Sequence, residues 1–439
     1  MNLSQNWRVS HMSAVNRSQK LLLSAEYLFD INPLKKYKVL FDHLDASVLG
    51  DQSQGPGRNP VSKPALLRAL IYKCLKPLPT LSDLVLELAD NPSIALKCGL
   101  DPSCVPPVER FSSFLRDTDN AIFQKVRNSL VKELITIGEI SGKCLSIDSY
   151  PVPANVKENN LKTNVKNRFD KNSIPKGDPD CRLGVVVEFR TSAKKVSYFW
   201  GYRNHAITDM PSELPVAEVT KPANVHDSKL FIPMFRQAKN DFSLKPKIVL
   251  ADSLYDSEKI LSFVINELKA KPRIARNYRW YARRPVRLCS EGNPVCIAGF
   301  EMIYWGKFRD RGKIRRKFCC PITHSKKFAK QHPVCPWKHP AFLKGKGCFT
   351  YLRGDRDIRK TIDYGSQLFK EQYNMRTGSE RLASRLLTLC MQDPSVRGLS
   401  ATANHFSVAH IAVLLVALTA AKSGHKDKIR FIKNFLPNL

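Results

Sequence analysis

Residues 144–160 read CLSIDSYPVPANVKENN, and residues 247–252 read KIVLAD. Each is a short apolar, β-rich run that ends on an aspartate, Asp148 in the first and Asp252 in the second. In an open α/β sheet, ligands gather beyond the carboxyl ends of the strands, in a crevice and not in a core. If the two strands are neighbours, the two carboxylates face each other. Carboxylates that close repel unless a cation sits between them. An aspartate at a strand end is also a common turn former, so the rest of the chain has to decide between these readings.

Working outward, further β-rich runs follow Asp148: GVVVEFR (184–190), KVSYFWGY (195–202) and LPVAEVT (214–220), with KPRIARN (271–277) after Asp252. Helical stretches, HDSKLFIPMFRQAKN and YDSEKILSFVINELKA, separate the later strands. Strands in series followed by β-α-β alternation predict a mixed α/β sheet. Ahead of residue 140, ALLRALIYKCL, LSDLVLELAD, VERFSSFLRDTD and NAIFQKVRNSLVKELITIGEI repeat apolar residues at three- and four-residue spacing, as helices do. Residues 277–365 break the sheet pattern and are rich in Arg, Lys, Cys and aromatics, as an inserted module would be. Helix is expected again over 366–388. The organisation read from this is a helical N-terminal domain (1–140), a first α/β part (141–276), a Cys-rich basic insertion (277–365) and C-terminal helices (366–439).

On the 366–388 helix, Tyr373, Arg376 and Glu380 stand at i, i+3 and i+7, which share one face. Such a face can offer a carboxylate to a metal and an arginine to a phosphate. The alternative is an exposed face with one Arg376–Glu380 pair of little weight. With Asp148 and Asp252, Glu380 completes a set of hard oxygen ligands suited to Mg²⁺.

The 439 residues hold 71 Lys+Arg against 39 Asp+Glu, a formal net charge of +32. Solubility needs far less. The excess implies a polyanion, nucleic acid first and a membrane surface second. The opening residues have no apolar core of a secretory signal. The apolar run 411–421 is too short to span a bilayer and suits a buried helix. Six of the 12 cysteines (Cys289, Cys296, Cys319, Cys320, Cys335 and Cys348) lie within 60 residues. In a reducing compartment such a cluster points to metal before disulfides. Cys296, Cys320, Cys335 and Cys348 are the candidate zinc ligands, with Cys319, His324, His332 and His339 as further candidates. The paired C-x2-C spacing of strong zinc motifs is missing, and loosely spaced cysteines also serve as small buried hydrophobes.

The ordered set of segments resembles DDE transposases of the bacterial insertion-sequence type that carry a Tyr-Arg-Glu-Lys signature, Y-x2-R-x3-E-x6-K. Here Tyr373, Arg376 and Glu380 match the signature, while Leu387 stands at the Lys position. IDSYPVPANVKENN resembles the family's first-Asp strand, and GYRNHAITD and KPANVHDSKLF the segments before the second. ADSLYDSEKI resembles the second-Asp block, and VRGLSATANHFSVAHIAVLL the region after the Glu. GRNPVSKPALLRALIYKCL and ELADNPSIALKCGLD resemble the helical N-terminal domain.

The resemblance implies an RNase H-like catalytic domain with an insertion, preceded by an all-helical domain. It implies Asp148, Asp252 and Glu380 as catalytic residues holding two Mg²⁺ (or Mn²⁺) ions. Tyr373, Arg376, Lys157 and His205 would meet DNA. The activity implied is cleavage at the ends of an insertion sequence and strand transfer into target DNA. The partners are the terminal repeats and the target, held by a homodimer in a synaptic complex, with no membrane, in the cytoplasm at the nucleoid. A catalytically inactive, transposase-derived DNA-binding protein is the alternative, and Leu387 keeps it open.

Overall fold

The computed structural model of the chain describes residues 35–50, 60–190, 193–277, 287–290, 292–310, 312–354, 358–392 and 394–432. Its described residues divide into two units. The first lies within Met1–Tyr255, Phe263–Ile274 and Glu371–Leu439; the second is Asp256–Ser262 with Ala275–Lys370.

The first unit begins with helices α1 (Lys35–Asp42), α2 (Lys63–Leu75), α3 (Leu81–Asp90), α4 (Pro92–Cys98), α5 (Val108–Asp117) and α6 (Asn120–Thr136). Local chemistry sets their ends. Thr80 and Asp83 form a capping box at the start of α3. Pro92 opens α4, and Gly99 closes it in the left-handed region. The expected boundary at residue 140 does not separate two bodies, because these helices pack in the same unit as the sheet. Residues 1–34 lie outside the described residues.

The sheet contains β1 (Cys144–Pro153), β2 (Arg182–Arg190), β3 (Ala193–Asp209), β4 (Leu214–Pro222), β5 (Ile248–Ala251) and β6 (Lys271–Ile274). Both β1 and β4 pair antiparallel with the second half of β3, so they flank it, and β2 pairs with the first half. Helix α7 (Ser228–Phe242) then leads to β5, which runs parallel to β1; β6 runs parallel to β5. The path β4-β3-β1-β5-β6 has three antiparallel strands followed by two parallel ones, the RNase H-like order. Contrary to the sequence reading, β1 does not end at Asp148; it continues through Pro151 and Pro153 to pair with Arg203 and Gly201. The ladder explains this. Ala154 N donates to Trp200 O, so alternation turns the nitrogens of Pro151 and Pro153 away from β3, toward the side where β5 has already ended. Gly201 is required here, since a Cβ would fall 2.1 Å from Val152 O.

The second unit covers nearly the whole expected insertion. It holds α8 (Glu258–Ser262), the hairpin of β7 (Arg287–Leu288) and β8 (Pro294–Val295), and an antiparallel sheet in the order β11-β10-β9. Those strands are β9 (Ile303–Asp310), β10 (Lys313–Cys319) and β11 (Phe349–Arg353). Three short helices link β10 to β11: α9 (Pro321–His324), α10 (Lys326–Gln331) and α11 (Pro340–Leu343).

The single helix expected over 366–388 is two, α12 (Gln367–Asn374) and α13 (Thr377–Leu386). They are separated by a tight turn in which Arg376 N donates to Tyr373 O (3.0 Å) and Ser379 N to Arg376 O (2.9 Å). The last long helix, α14 (Leu399–Lys422), is apolar on nearly all sides. By length and composition it could cross a membrane, yet 94% of its apolar window is buried inside the protein. A helix apolar all round belongs in a core, and α14 packs against α2, α5, α6 and β4.

A buried polar network joins these layers. Arg127 of α6 and Glu218 of β4, each with 1% of its side chain exposed, lie 3.6 Å apart. Glu218 also accepts from Ser407 of α14 (2.7 Å), Gln124 (2.5 Å) and Asn204 (2.9 Å). Asn404 donates to Leu115 O and Thr118 O, tying α14 to the end of α5. Removing one partner of a buried ion pair leaves the other charge uncompensated. Arg127→Met should therefore cost about 3–5 kcal/mol of stability, checked by urea denaturation of the variant beside wild type.

Candidate active site

The parallel pairing of β1 with β5 aligns Cys144 with Ile248, Leu145 with Val249 and Ser146 with Leu250. Two residues further on, the same register brings Asp148 level with Asp252, just past the end of β5. Level residues of parallel neighbours point to one face, so the two carboxylates share it. Asp148 Oδ1 accepts from Ser149 N (2.9 Å), and Asp252 Oδ1 from Leu254 N (2.8 Å). Burial pushes the Asp148 carboxyl up to about 6; Arg376 pulls it down, and Asp252 and Glu380 add to the rise. Burial raises Asp252 as well, opposed by its backbone bond from Leu254 and by Arg376.

Helix α13 brings the third carboxylate. Arg376, at its N-terminal end, donates from Nη1 to Asp148 Oδ2 (3.0 Å) and from Nη2 to Glu380 Oε1 (2.5 Å). One guanidinium thus links two acids 232 residues apart in sequence. Tyr373 lies with its ring centre 6.0 Å from that guanidinium. The Arg376–Glu380 pair is present, then, but as part of a larger site. The helix is held by Glu213 in the β3–β4 turn, which pairs with Arg381 (2.7 Å), Arg385 (3.5 Å) and Arg430 (3.2 Å). Gly378 permits the approach: a Cβ there would stand 3.3 Å from both Glu213 Cγ and Met210 Sδ. Leu387, at the expected Lys position, is 40% exposed just past α13. Arg385 does not replace that lysine, since it is engaged with Glu213.

With this geometry, the comparisons with known proteins can be placed. Residues 170–318 match the family model of the transposase DDE domain. That stretch is similar to a transposase DDE domain. The match runs from β2 into β10 and includes Asp252; it begins after Asp148 and stops before Glu380. A search of curated proteins gives no match. Among solved structures, the cryo-EM structure of a piggyBac transposase synaptic complex with hairpin DNA is 12% identical, covering 93% of this chain and 79% of that chain, with a TM-score of 0.38. A likeness at that score decides neither fold nor function.

Around the three carboxylates stands a second layer that the sequence reading missed. Asp227 sits at the N-cap position of α7, but its side chain makes no capping bond. Its Oδ2 instead accepts from Ser149 Oγ (3.0 Å) and lies 3.9 Å from Arg203, while its Oδ1 lies 3.9 Å from His205 Nδ1. Tyr255, three residues after Asp252, is buried, and its hydroxyl has no hydrogen-bond partner among the described residues. Asp227, Asp148 and Asp252 together press its pKa upward, after burial itself. The only signal in the sequence was the position of both residues inside the NVHDS and ADSLYD segments.

One expected DNA contact needs correction. His205 is fully buried in β3, between β1 and β4, and burial lowers its pKa to about 4, so it cannot meet a phosphate. It is a core residue facing Asp227. Lys157 is exposed in the short turn Lys157–Asn159, and among the described residues it makes no ion pair with the three carboxylates. His226, in the same NVHDS segment, bonds locally to Ser228 Oγ (2.7 Å).

In the second unit, the register places Phe308, Arg315, Lys317, Tyr351 and Phe349 on one sheet face. Three rings there are well exposed, with Phe308 and Phe349 each 5.4 Å from Tyr351, and Lys317 Nζ stands 5.6 Å from the Phe349 ring centre. Cys296, Cys320, Cys335 and Cys348 all lie in this unit as well.

The acidic donor set fits a hard divalent cation: three carboxylates, two of them raised by burial and mutual repulsion. As the side chains lie, no three of the described His, Cys, Asp and Glu groups are set to hold a metal ion. At the carboxylates the reason is Arg376, whose guanidinium spans Asp148 and Glu380. The raised pKa of Asp148 carries a stability consequence. Between its ordinary value of 3.8 and about 6, the folded state holds the extra proton. Stability is therefore lost as pH rises through this window, and the loss is complete above it. In EDTA, Asp148→Asn should gain on wild type by up to about 3 kcal/mol between pH 4 and pH 8. Denaturation curves at both pH values test this, and a pH-independent difference counts against a strained carboxylate.

Proposed function

We propose that the protein is a DDE transposase, one that cuts DNA at the ends of an insertion sequence and joins those ends to target DNA. The observation that carries the proposal is the meeting of Asp148, Asp252 and Glu380 around Arg376 at the carboxyl edge of an RNase H-like sheet. The transposase DDE family match over residues 170–318 and the net charge of +32 support the same reading.

Asp148, Asp252 and Glu380 would hold two Mg²⁺ or Mn²⁺ ions, whose contribution when bound is Lewis acidity toward an attacking water or 3′-hydroxyl and toward the leaving oxygen. The chain's own groups do the rest. The fixed β1/β5 register presents two carboxylates with little reorganisation. Arg376 neutralises them in the metal-free protein and is the cation placed to grip a phosphate beside them. Tyr373, packed on Arg376, steadies that guanidinium. Asp227, through Ser149, holds the residue next to Asp148. The exposed aromatic and basic face of β9, β10 and β11 supplies phosphate contacts and stacking surfaces for DNA. Two transposon ends have to be held together, so the working form is a homodimer on DNA, acting at the nucleoid.

The test uses purified protein and a plasmid bearing the gene with its native flanking DNA. Wild type with Mg²⁺ should cut at the element boundaries. Asp148→Ala, Asp252→Ala and Glu380→Ala should each lose cutting by at least about a hundredfold, a loss of roughly 3 kcal/mol in the barrier, while still shifting the DNA in a gel. Cutting by any of these variants at the wild-type rate sinks the assignment. Binding without cutting by wild type favours the DNA-binding relic, to which Leu387 at the lysine position points. On the second unit, replacing Phe308 and Tyr351 together by Ala should weaken DNA affinity about tenfold or more, read by fluorescence anisotropy at fixed salt.

A further inference from the structure

We propose that the second unit is a structural zinc module in which Cys296, Cys320, Cys335 and Cys348 bind one Zn²⁺. The side chains of these four are gathered at one place. Cys320 and Cys335 are buried in a single cluster with Ile322, and Cys348 packs against it. The Cys348 and Cys320 thiols are hydrogen-bonded to each other, with Cys296 close beside them. Cys320 N donates to Cys348 O (2.9 Å), which locks the end of β10 to the start of β11.

The backbone at the other two cysteines is shaped alike. Cys296 and Cys335 each open a turn closed three residues on, by Gly299 N to Cys296 O (3.0 Å) and by Lys338 N to Cys335 O (2.9 Å). The closing residue is left-handed in both, at φ +84° for Gly299 and +47° for Lys338. A lysine takes that conformation only when its surroundings impose it. Two matching Cys-initiated turns brought to one cluster are what a tetrahedral thiolate site needs, although no C-x2-C pair is present.

The remaining candidates are engaged elsewhere. His324 Nδ1 lies 2.8 Å from Thr323 Oγ1 and its ring packs edge-to-face with Trp305. His339 caps α11 by accepting from Ala341 N (3.1 Å), and His332 packs its ring on Phe300 and Phe328. Cys289 donates to Glu301 Oε1 (3.4 Å), and Cys319 is paired in the ladder with Ile303 and Phe349. The module also has little core of its own. Between residues 287 and 354 its described, fully buried hydrophobic side chains are Met302, Phe318, Ile322 and three cysteines, Cys319, Cys320 and Cys335. Small units with too little apolar core are commonly held by disulfides or metal, and the cysteines of this cluster are all free thiols. Binding would require these thiols to lose their protons and close onto the ion, since no three of them are already set around one point.

The experiment uses full-length protein purified without chelator, with zinc measured per chain by mass spectrometry. Wild type should carry one equivalent. Cys320→Ser and Cys296→Ser should each lose most of it, whereas Cys319→Ser, adjacent in sequence, should keep it. Asp148→Ala should also keep it, which separates this site from the carboxylates and from the transposase reading. Cobalt substitution should give the thiolate charge-transfer and tetrahedral d–d bands, lost in Cys320→Ser. Folded wild-type protein with no zinc, zinc lost in Asp148→Ala, or zinc retained in Cys320→Ser would each overturn the proposal.

Discussion

The parallel register of β1 against β5 is the constraint on which the carboxylate site depends. Four residues separate Cys144 from Asp148, and four separate Ile248 from Asp252. A slip of one residue in either strand would turn one acid to the opposite face. The length of β5 matters equally. It ends at Ala251, so among the described residues no neighbouring strand covers Asp252 or that edge of β1 beyond Ser146, and a charged group can sit where a core would exclude it. The prolines of β1 use the same opened edge.

Charge is placed against local preference to serve that site. Arg376 stands at the N-terminal end of α13, where a helix dipole disfavours a cation. Two carboxylates offset this, and the break between α12 and α13 turns Tyr373 and Arg376 toward the sheet together. On the opposite side of the same helix, Glu213 is a single buried anion serving three arginines, at a backbone φ of +55°. Position is thus fixed by electrostatics at both flanks of α13, and by a glycine where the helix comes closest to the sheet.

The strands and helices of residues 60–276 were largely legible, because apolar periodicity of 2 and 3.6 residues reports directly on which face is buried. Asp148, Asp252 and Glu380 were legible as a set through the ordered resemblance, and Arg376 through its spacing from Glu380. Other features left no trace in a linear pattern. The break at Met375–Arg376 has no proline, and Gly378 lies beyond it, so the helix read as continuous. His205 read as a polar residue in a motif, but whether it faces solvent depends on β1 and β4 both covering β3. Asp227 looked like a helix cap because its position is one; only the fold reveals that its carboxylate turns to Ser149. The continuation of β1 past Asp148 depends on which way two proline nitrogens point, and that is set by pairing with a strand some fifty residues later.

Helix α14 has a consequence for how the protein comes into being. It follows α2, α5, α6 and β4 in the chain, yet it packs against all four, and its Ser407 reaches the buried Glu218. While a ribosome still holds residues 399–422, α2, α5 and α6 lack the part of their apolar packing that α14 supplies, and Glu218 lacks one of its donors. The sheet can be assembled in outline at that stage but cannot be closed. Closure therefore waits for a segment made long after the strands it covers, and a product lacking this helix leaves apolar surface open to proteases.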